Sequence, residues 1–203
     1  MCGIAGLIHR GKTVDIGSEM QGMLQALKHR GPDSTGYALY GEGSKGDYIL
    51  RFKVGENVKE GSSAANEEKA VYDERKKQVD KHIRDLGADI LQDQQLTPYS
   101  FRYVIKYDKD LMEFSKKIES VEMTEILSLG KTLELVKDIG DATVVSKQYG
   151  LDKIKGTHAI GHSRMATESG VDIRSAHPFW GYPFSDVAVV HNGQLTNYWN
   201  NRR

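Results

Sequence analysis

Cys2 is the single cysteine in a chain of 203 residues, and it stands where removal of the initiator methionine would make it the amino-terminal residue. Cysteine is small enough for that trimming to be expected. One residue would then carry both a thiol and a free α-amine. The amine, with a reference pKa of roughly 7.7 to 8.0, can act near neutral pH as general base for the thiol on the same Cα. Nucleophile and base are thereby housed together, an N-terminal version of the pairing that activates serine through histidine. Arg164 closes a strand-like run, and its guanidinium offers the two parallel donors that the α-carboxylate of an amino acid would accept. Asn192-Gly193 follows an apolar run and could set a side-chain amide beside a backbone N–H, which are the parts of an oxyanion hole. Arg30-Gly31 could supply further contacts to a substrate.

Each of these residues also has an ordinary reading. A lone cysteine can be a small buried hydrophobe. A strand-end arginine can lie on the surface, Asn-Gly is a common hairpin turn, and Arg30-Gly31 can serve only to shape the chain. His158, His162, His177 and His191 raise the question of a metal, yet no His-Glu-x-x-His or comparable ligand spacing occurs, and no metal site is expected. His158 and His162, four apart in a strand, share one face at a spacing too long for easy chelation; they read as packing groups or as supports behind the site.

Positioning such residues requires strands. The stretch 1–9 reads as a buried strand with Ile4, Leu7 and Ile8 packing inward, since Gly3, Gly6 and His9 break the run that a secretory signal needs. Val14 to Leu27 has helical spacing at Ile16, Met20, Met23, Leu24 and Leu27, and predicts an amphipathic helix resting on a sheet. Gly31-Pro32-Asp33 forces a turn. Tyr37–Tyr40 and Tyr48–Val54 read as two strands joined by a long Gly-rich hairpin connection over 41–47, which lacks the spacing of a phosphate cradle.

Residues 56–150 change character and are read as a largely helical insertion subdomain. The run 61–66 is linker-like, and Glu67 to Leu86 is a charged helix with an apolar seam at Val71, Val79, Ile83 and Leu86. Tyr99 to Tyr107 alternates as a strand, with Phe101, Tyr103, Ile105 and Tyr107 on one face. Leu111–Val121 and Met123–Val136 read as helices. Strands return at Thr157–Arg164 and Asp186–His191, both suited to a sheet interior. Asn197 to Arg203 resembles the first turn of a helix without a stop signal, so the domain, 1–203, is expected to be cut short at its C-terminus.

Composition narrows the function classes. Acidic and basic residues number 28 each, leaving no net field to draw a polyanionic partner such as nucleic acid or an anionic membrane. No apolar run approaches the eighteen or so residues of a bilayer span. One cysteine cannot close an internal disulfide, and a reducing cytoplasm is the expected setting.

Met1-Cys-Gly-Ile-Ala-Gly, His29-Arg-Gly-Pro-Asp-Ser-Thr-Gly, Gly161-His-Ser-Arg-Met-Ala-Thr and His191-Asn-Gly-Gln-Leu-Thr-Asn, in that order, resemble the class II, N-terminal-nucleophile glutamine amidotransferase domain. The likeness covers residues 1 to about 55 and 156–203. It implies an α+β fold, the four-layer αββα sandwich of N-terminal-nucleophile hydrolases. It further implies that Cys2 attacks the side-chain amide of glutamine and that Asn192 and Gly193 hold the oxyanion. Arg164, helped by Thr167, would bind the substrate carboxylate, with Arg30 and Gly31 lining the site. The family's aspartate for the substrate α-amine would fall beyond residue 203. Among relatives, the long insertion resembles the stand-alone glutaminase subunit of the glutamate synthase type, including those linked to N-methylglutamate synthesis. That subgroup implies a separate ammonia-accepting synthase partner, a flavoprotein, and no cofactor in this chain. The alternatives are an inactive or regulatory amidotransferase-like subunit, or the glutaminase domain of an asparagine synthetase or phosphoribosylpyrophosphate amidotransferase relative.

Overall fold

Residues 2–31, 33–56, 65–165 and 173–193 are described by a computed structural model of the chain. In chain order the elements are β1 (Gly3–Ile8), α1 (Ile16–Ala26), β2 (Ser34–Gly41), β3 (Tyr48–Lys53), α2 (Ala65–Asp85), β4 (Asp89–Thr97) and β5 (Ser100–Lys106). They continue with α3 (Leu111–Ile118), β6 (Glu125–Gly130), β7 (Leu133–Ile139), α4 (Ala142–Tyr149), β8 (Gly156–Arg164), β9 (Phe179–Trp180) and β10 (Ala188–Val189). The result is a mixed α+β chain whose strand pairs are antiparallel. One sheet runs β1-β8-β2-β7, a second runs β4-β5-β3-β6, and β9 and β10 pair as a small ribbon.

Helices cover the outer face of each sheet. Ile16, Met20 and Leu24 of α1 recur every fourth residue and bury with Tyr37, Leu39, Ala159 and, from α4, Val145 and Tyr149. On the second sheet, Tyr72, Val79 and Ile83 of α2 and Phe114 and Ile118 of α3 pack on Phe52, Phe101 and Tyr103. Each such side chain fully buried contributes about 1.5–3 kcal/mol relative to exposure. The helix starts are specified locally: Asp110 accepts from the amides of Met112 and Glu113, and Asp141 from that of Val144. Gly150, at φ +62°, ends α4 in the left-handed conformation that a side chain resists.

Between the sheets the apolar layer is small, Ala38, Leu127, Leu133 and Leu135. Charge fills the remainder. Glu134 of β7 accepts from Arg51 Nε at 2.8 Å and from Arg102 Nε at 2.7 Å and Nη2 at 3.0 Å. Burial pushes the Glu134 carboxyl up, but the two guanidiniums override it and hold the pKa at about 2. Glu125 pairs in the same way with Lys53 at 3.0 Å and Lys137 at 2.9 Å.

Several expectations from sequence are corrected here. Ile4 and Ile8 point outward, 43% and 68% exposed, while Gly3, Ala5 and Leu7 face α1. A period of two cannot bury positions 4, 7 and 8 together, and β1 is an edge strand. β2 and β3 do not form a hairpin; residues 42–47 cross from one sheet to the other. Met123–Val136 is no helix but the β6–β7 pair of strands, one in each sheet. Residues 56–150 are therefore not largely helical, since β4, β5 and β6 make three of the four strands of the second sheet and β7 an edge of the first. The α2 seam runs through Tyr72, Val79 and Ile83, with Val71 turned outward. Asp186–His191 does not enter a sheet interior: only Ala188 and Val189 are strand, and Val187 and Val189 are exposed. The linker-like run falls mostly, and the 197–203 segment wholly, outside the described residues.

Candidate active site

The first sheet sets the nucleophile and the arginine side by side. β1 pairs with β8 through Gly3 opposite Ser163, and one further step along that antiparallel register brings Cys2 opposite Arg164. On its other side Arg164 is paired with Ser34 of β2. Arg164 is thus held at the end of a strand with neighbours on both edges, and it is buried. Cys2 is half-buried, and its thiol points toward the carbonyl of Met165 at 3.8 Å.

The β2 entry keeps this end of the sheet tight. The amide of Asp33 donates to the Arg164 carbonyl at 3.1 Å, and the carbonyl of Asp33 accepts from Gly140 at 3.0 Å. Gly31 lies directly on β8: a Cβ there would stand 2.6 Å from backbone atoms of Ser163 and Arg164. Its glycine is a matter of space. Arg30 ends the short 3-10 turn Lys28–Arg30, its amide donating to Leu27 at 2.8 Å, and its side chain is partly exposed. A shallow hollow of about 550 Å³ opens between Gln25, Ala26, Lys28, His29 and Met165, beside the carbonyl that the thiol faces. A tighter cavity of about 180 Å³ lies elsewhere, against Glu125, Lys137 and Phe179.

Asn192 arrives from the other end of the chain. Its Nδ2 donates to the carbonyl of Cys2 at 3.0 Å, so the amide proposed for the oxyanion and the proposed nucleophile are directly joined. Gly193 follows it, exposed, with the His191 ring 3.1 Å from the place a Cβ would take. Cys2, Arg164, Gly31 and Asn192 therefore converge on one end of the first sheet, with Gly193 adjacent. Met1 and Thr167 lie outside the described residues.

Two features were not read from the sequence. One is a run of imidazoles. The His162 and His177 rings lie 4.9 Å apart, and His177 and His191 6.5 Å apart. Burial, then His177 and Arg164, lowers the His162 pKa to about 4. Burial, Lys137, His191 and Arg164 do the same for His177. Among the described residues, neither buried nitrogen of His162 has a hydrogen-bond partner, whereas His158 stacks on Tyr40 at 4.0 Å. The other is Asp186, which lies shortly before β10. Its carboxylate accepts from the amides of Lys131, Thr132 and Leu133 at 3.1, 2.7 and 2.7 Å, clamping the segment that leads to Asn192 onto the β6–β7 turn. No sequence signal marks that clamp, because its donors are backbone groups 53 to 55 residues away. Among the described residues, no group of three His, Cys, Asp or Glu side chains is arranged to hold a metal ion, and no helix is long and apolar enough to cross a membrane.

The chain is similar over its whole length to a protein of Methanothermobacter thermautotrophicus named "Putative glutamine amidotransferase", at 37% identity over 207 residues. The "Glutamine amidotransferase-like protein GlxB" of Rhizobium meliloti is 28% identical over 214 residues, again with all of this chain aligned. The chain spans 64% and 62% of the length of these two relatives. A shorter match, 33% over 96 residues, covers 46% of this chain and 16% of a glutamine–fructose-6-phosphate aminotransferase of Methanococcus maripaludis. No protein-family model matches the chain.

Proposed function

We propose that this chain is the glutaminase part of a class II glutamine amidotransferase, and that its two sheets with outer helices are the αββα sandwich of N-terminal-nucleophile hydrolases. The observation that carries the reading is the bond from Asn192 Nδ2 to the Cys2 carbonyl at the end of β8. With Arg164 next to Cys2 by the β1–β8 register, this bond supports a reading of thiol, carboxamide donor and arginine as parts of one amide-cleaving site. Similarity to proteins described as glutamine amidotransferases supports the same chemistry.

With Met1 removed, the α-amine of Cys2 takes the thiol proton as Sγ attacks the side-chain carbonyl carbon of glutamine. The oxygen becomes an oxyanion held by the Asn192 amide and the Gly193 N–H. Collapse breaks the C–N bond, the ammonium of Cys2 protonates the leaving nitrogen, and ammonia departs, leaving a thioester. Water, activated by the same amine, then releases glutamate. Arg164, with Thr167, clamps the substrate carboxylate, while Arg30 and Gly31 wall the site. The ammonia passes to a separate synthase subunit of the glutamate synthase type, a flavoprotein, and the protein works in the cytoplasm.

The test uses the full-length protein with a native N-terminus checked by mass spectrometry. Glutamine-dependent ammonia release, lost in Cys2→Ala and in a form that retains Met1, is the expected result. Ammonia release by Cys2→Ala at the wild-type rate would end this reading. Co-purification of a flavin-containing subunit from the source cells tests the partner.

A further inference from the structure

We propose that His177 is a positioning residue that holds the Asn192-Gly193 turn against Cys2, acting through His191; this rests on the reading of Cys2 and Asn192 just given. The β9–β10 register pairs Ala188 with Trp180 and Val189 with Phe179. Extended two residues beyond the ribbon, that register would set His191 opposite His177. Their rings stand 6.5 Å apart and 60° inclined. Edge-on ring contacts at such separations are attractive and directional.

His177 is itself well founded. Its ring lies 4.9 Å from that of His162, a residue of β8 two places before Arg164 and on the same face of the strand. Phe179 adds an edge-on contact at 4.5 Å. Its main chain is seated as closely: a Cβ on Gly36, the register partner of His162, would lie 1.9 Å from the His177 carbonyl oxygen. The strand that carries Arg164 therefore also carries, through His162 and His177, the segment that delivers Asn192.

The last link needs support from outside itself. His191, Asn192 and Gly193 are all exposed, so burial does little to fix them. The His191 ring lies 3.1 Å from where a Cβ of Gly193 would stand, so the ring packs close against the turn. Asn192 then reaches the Cys2 carbonyl at 3.0 Å. An oxyanion donor works only if it is in place before charge develops, so a loose turn would slow the chemical step and leave carboxylate binding alone.

In the full-length protein, His177→Ala is expected to lower kcat for glutamine hydrolysis about 10-fold or more while KM stays within about 2-fold, and His177→Phe to recover about half of kcat or more. Alkylation of Cys2 by iodoacetamide at the wild-type rate in His177→Ala supports the proposal, and slowed alkylation overturns it. An unchanged kcat in folded His177→Ala also overturns it, as does a rise in KM alone or an equal loss in folded Ala and Phe variants. If the Ala variant does not fold, the Phe variant decides, near-wild-type kcat supporting the proposal and loss overturning it. Should the wild type itself fail to hydrolyse glutamine, the functional reading falls separately. Hydrogen exchange at the Asn192 and Gly193 amides then judges the placement: faster in Ala and restored in Phe supports it, and no change overturns it.

Discussion

Asn192 donates its side-chain amide to the carbonyl of Cys2 across 3.0 Å, joining residues 190 positions apart. An amide NH₂ has two hydrogens, and the carbonyl occupies one. On the proposed reading the other serves a developing oxyanion. The bond also fixes the distance of that donor from the nucleophile's own backbone. Asn192→Ala removes the donor without touching Arg164. The expected outcome is a loss of about 10²–10³ in kcat with a nearly unchanged KM for glutamine, measured by steady-state ammonia release. An equal rise in KM would assign Asn192 to substrate binding instead.

Gly31 tests the other half of the site. Its φ of −169° is extended, so any residue could adopt the backbone. Space is the obstacle: a Cβ would come within 2.6 Å of the backbone of Ser163 and Arg164, in a strand hydrogen-bonded on both edges. Gly31→Ala must push the end of β8 aside. Overpacking of this kind costs about 1–3 kcal/mol. The variant is expected to melt several degrees lower and, if Arg164 binds the substrate carboxylate as proposed, to show a KM for glutamine raised about 10-fold. Thermal melting and kinetics on the same sample check both parts.

The elements with one clear period, α1 and β5, were legible in the sequence. Ile16, Met20 and Leu24 bury as spaced, and Phe101 and Tyr103 alternate into the core as read. The β6–β7 strands were not legible. Buried on nearly every residue, they carry Ser128, Glu134, Lys137 and Asp138 among their apolar side chains and so show no two-residue alternation, while Met123, Ile126, Leu127, Leu133 and Val136 imitate helical spacing. Ile4 and Ile8 were misplaced because bulk was taken as the sign of burial. At β1 the covered positions are Gly3 and Ala5, small because α1 lies close on that face. Cys2 stands out by its place behind the initiator methionine, and Arg164 and Asn192 by residue type after runs that read as strands; the structure brings the three to one end of the first sheet. The imidazole run and the Asp186 clamp could not be named, since both depend on which strands become neighbours.

The charged layer between the sheets gives a stability prediction. Glu134 of the first sheet reaches across to Arg51, only 3% exposed, and Arg102, both of the second sheet. Glu134→Ala leaves both guanidiniums without their carboxylate in a buried setting. The expected loss is about 3–5 kcal/mol in urea unfolding at pH 7, with activity retained in the fraction that stays folded. By contrast, breaking the partly exposed Lys28–Asp141 pair with Lys28→Ala is expected to cost less than about 1 kcal/mol. Similar losses in the two variants would mean that the buried pair is far better solvated than its geometry suggests.

His162 and His177 give a prediction in pH. Both have folded-state pKa values near 4, against about 6.5 for an unfolded histidine. Between those values the unfolded chain binds more protons than the folded one, so stability rises with pH across the window. The contribution is complete above about pH 6.5 and is lost as pH falls toward 4. The carboxylates that favour folding, Glu134 at about 2 and Glu125 below its ordinary value, lose their contribution at lower pH. Glu119, whose carboxyl burial pushes up, acts in the opposite sense, so the slope must be read against a variant rather than alone. His162→Phe removes two buried nitrogens that have no partner among the described residues and is expected to match or exceed the wild type in stability at pH 5. From pH 6.5 to 4.5 the wild type is expected to lose on the order of 2 kcal/mol more than this variant, followed by urea unfolding at half-unit steps. Parallel curves would mean that His162 takes up its proton without opening the stack.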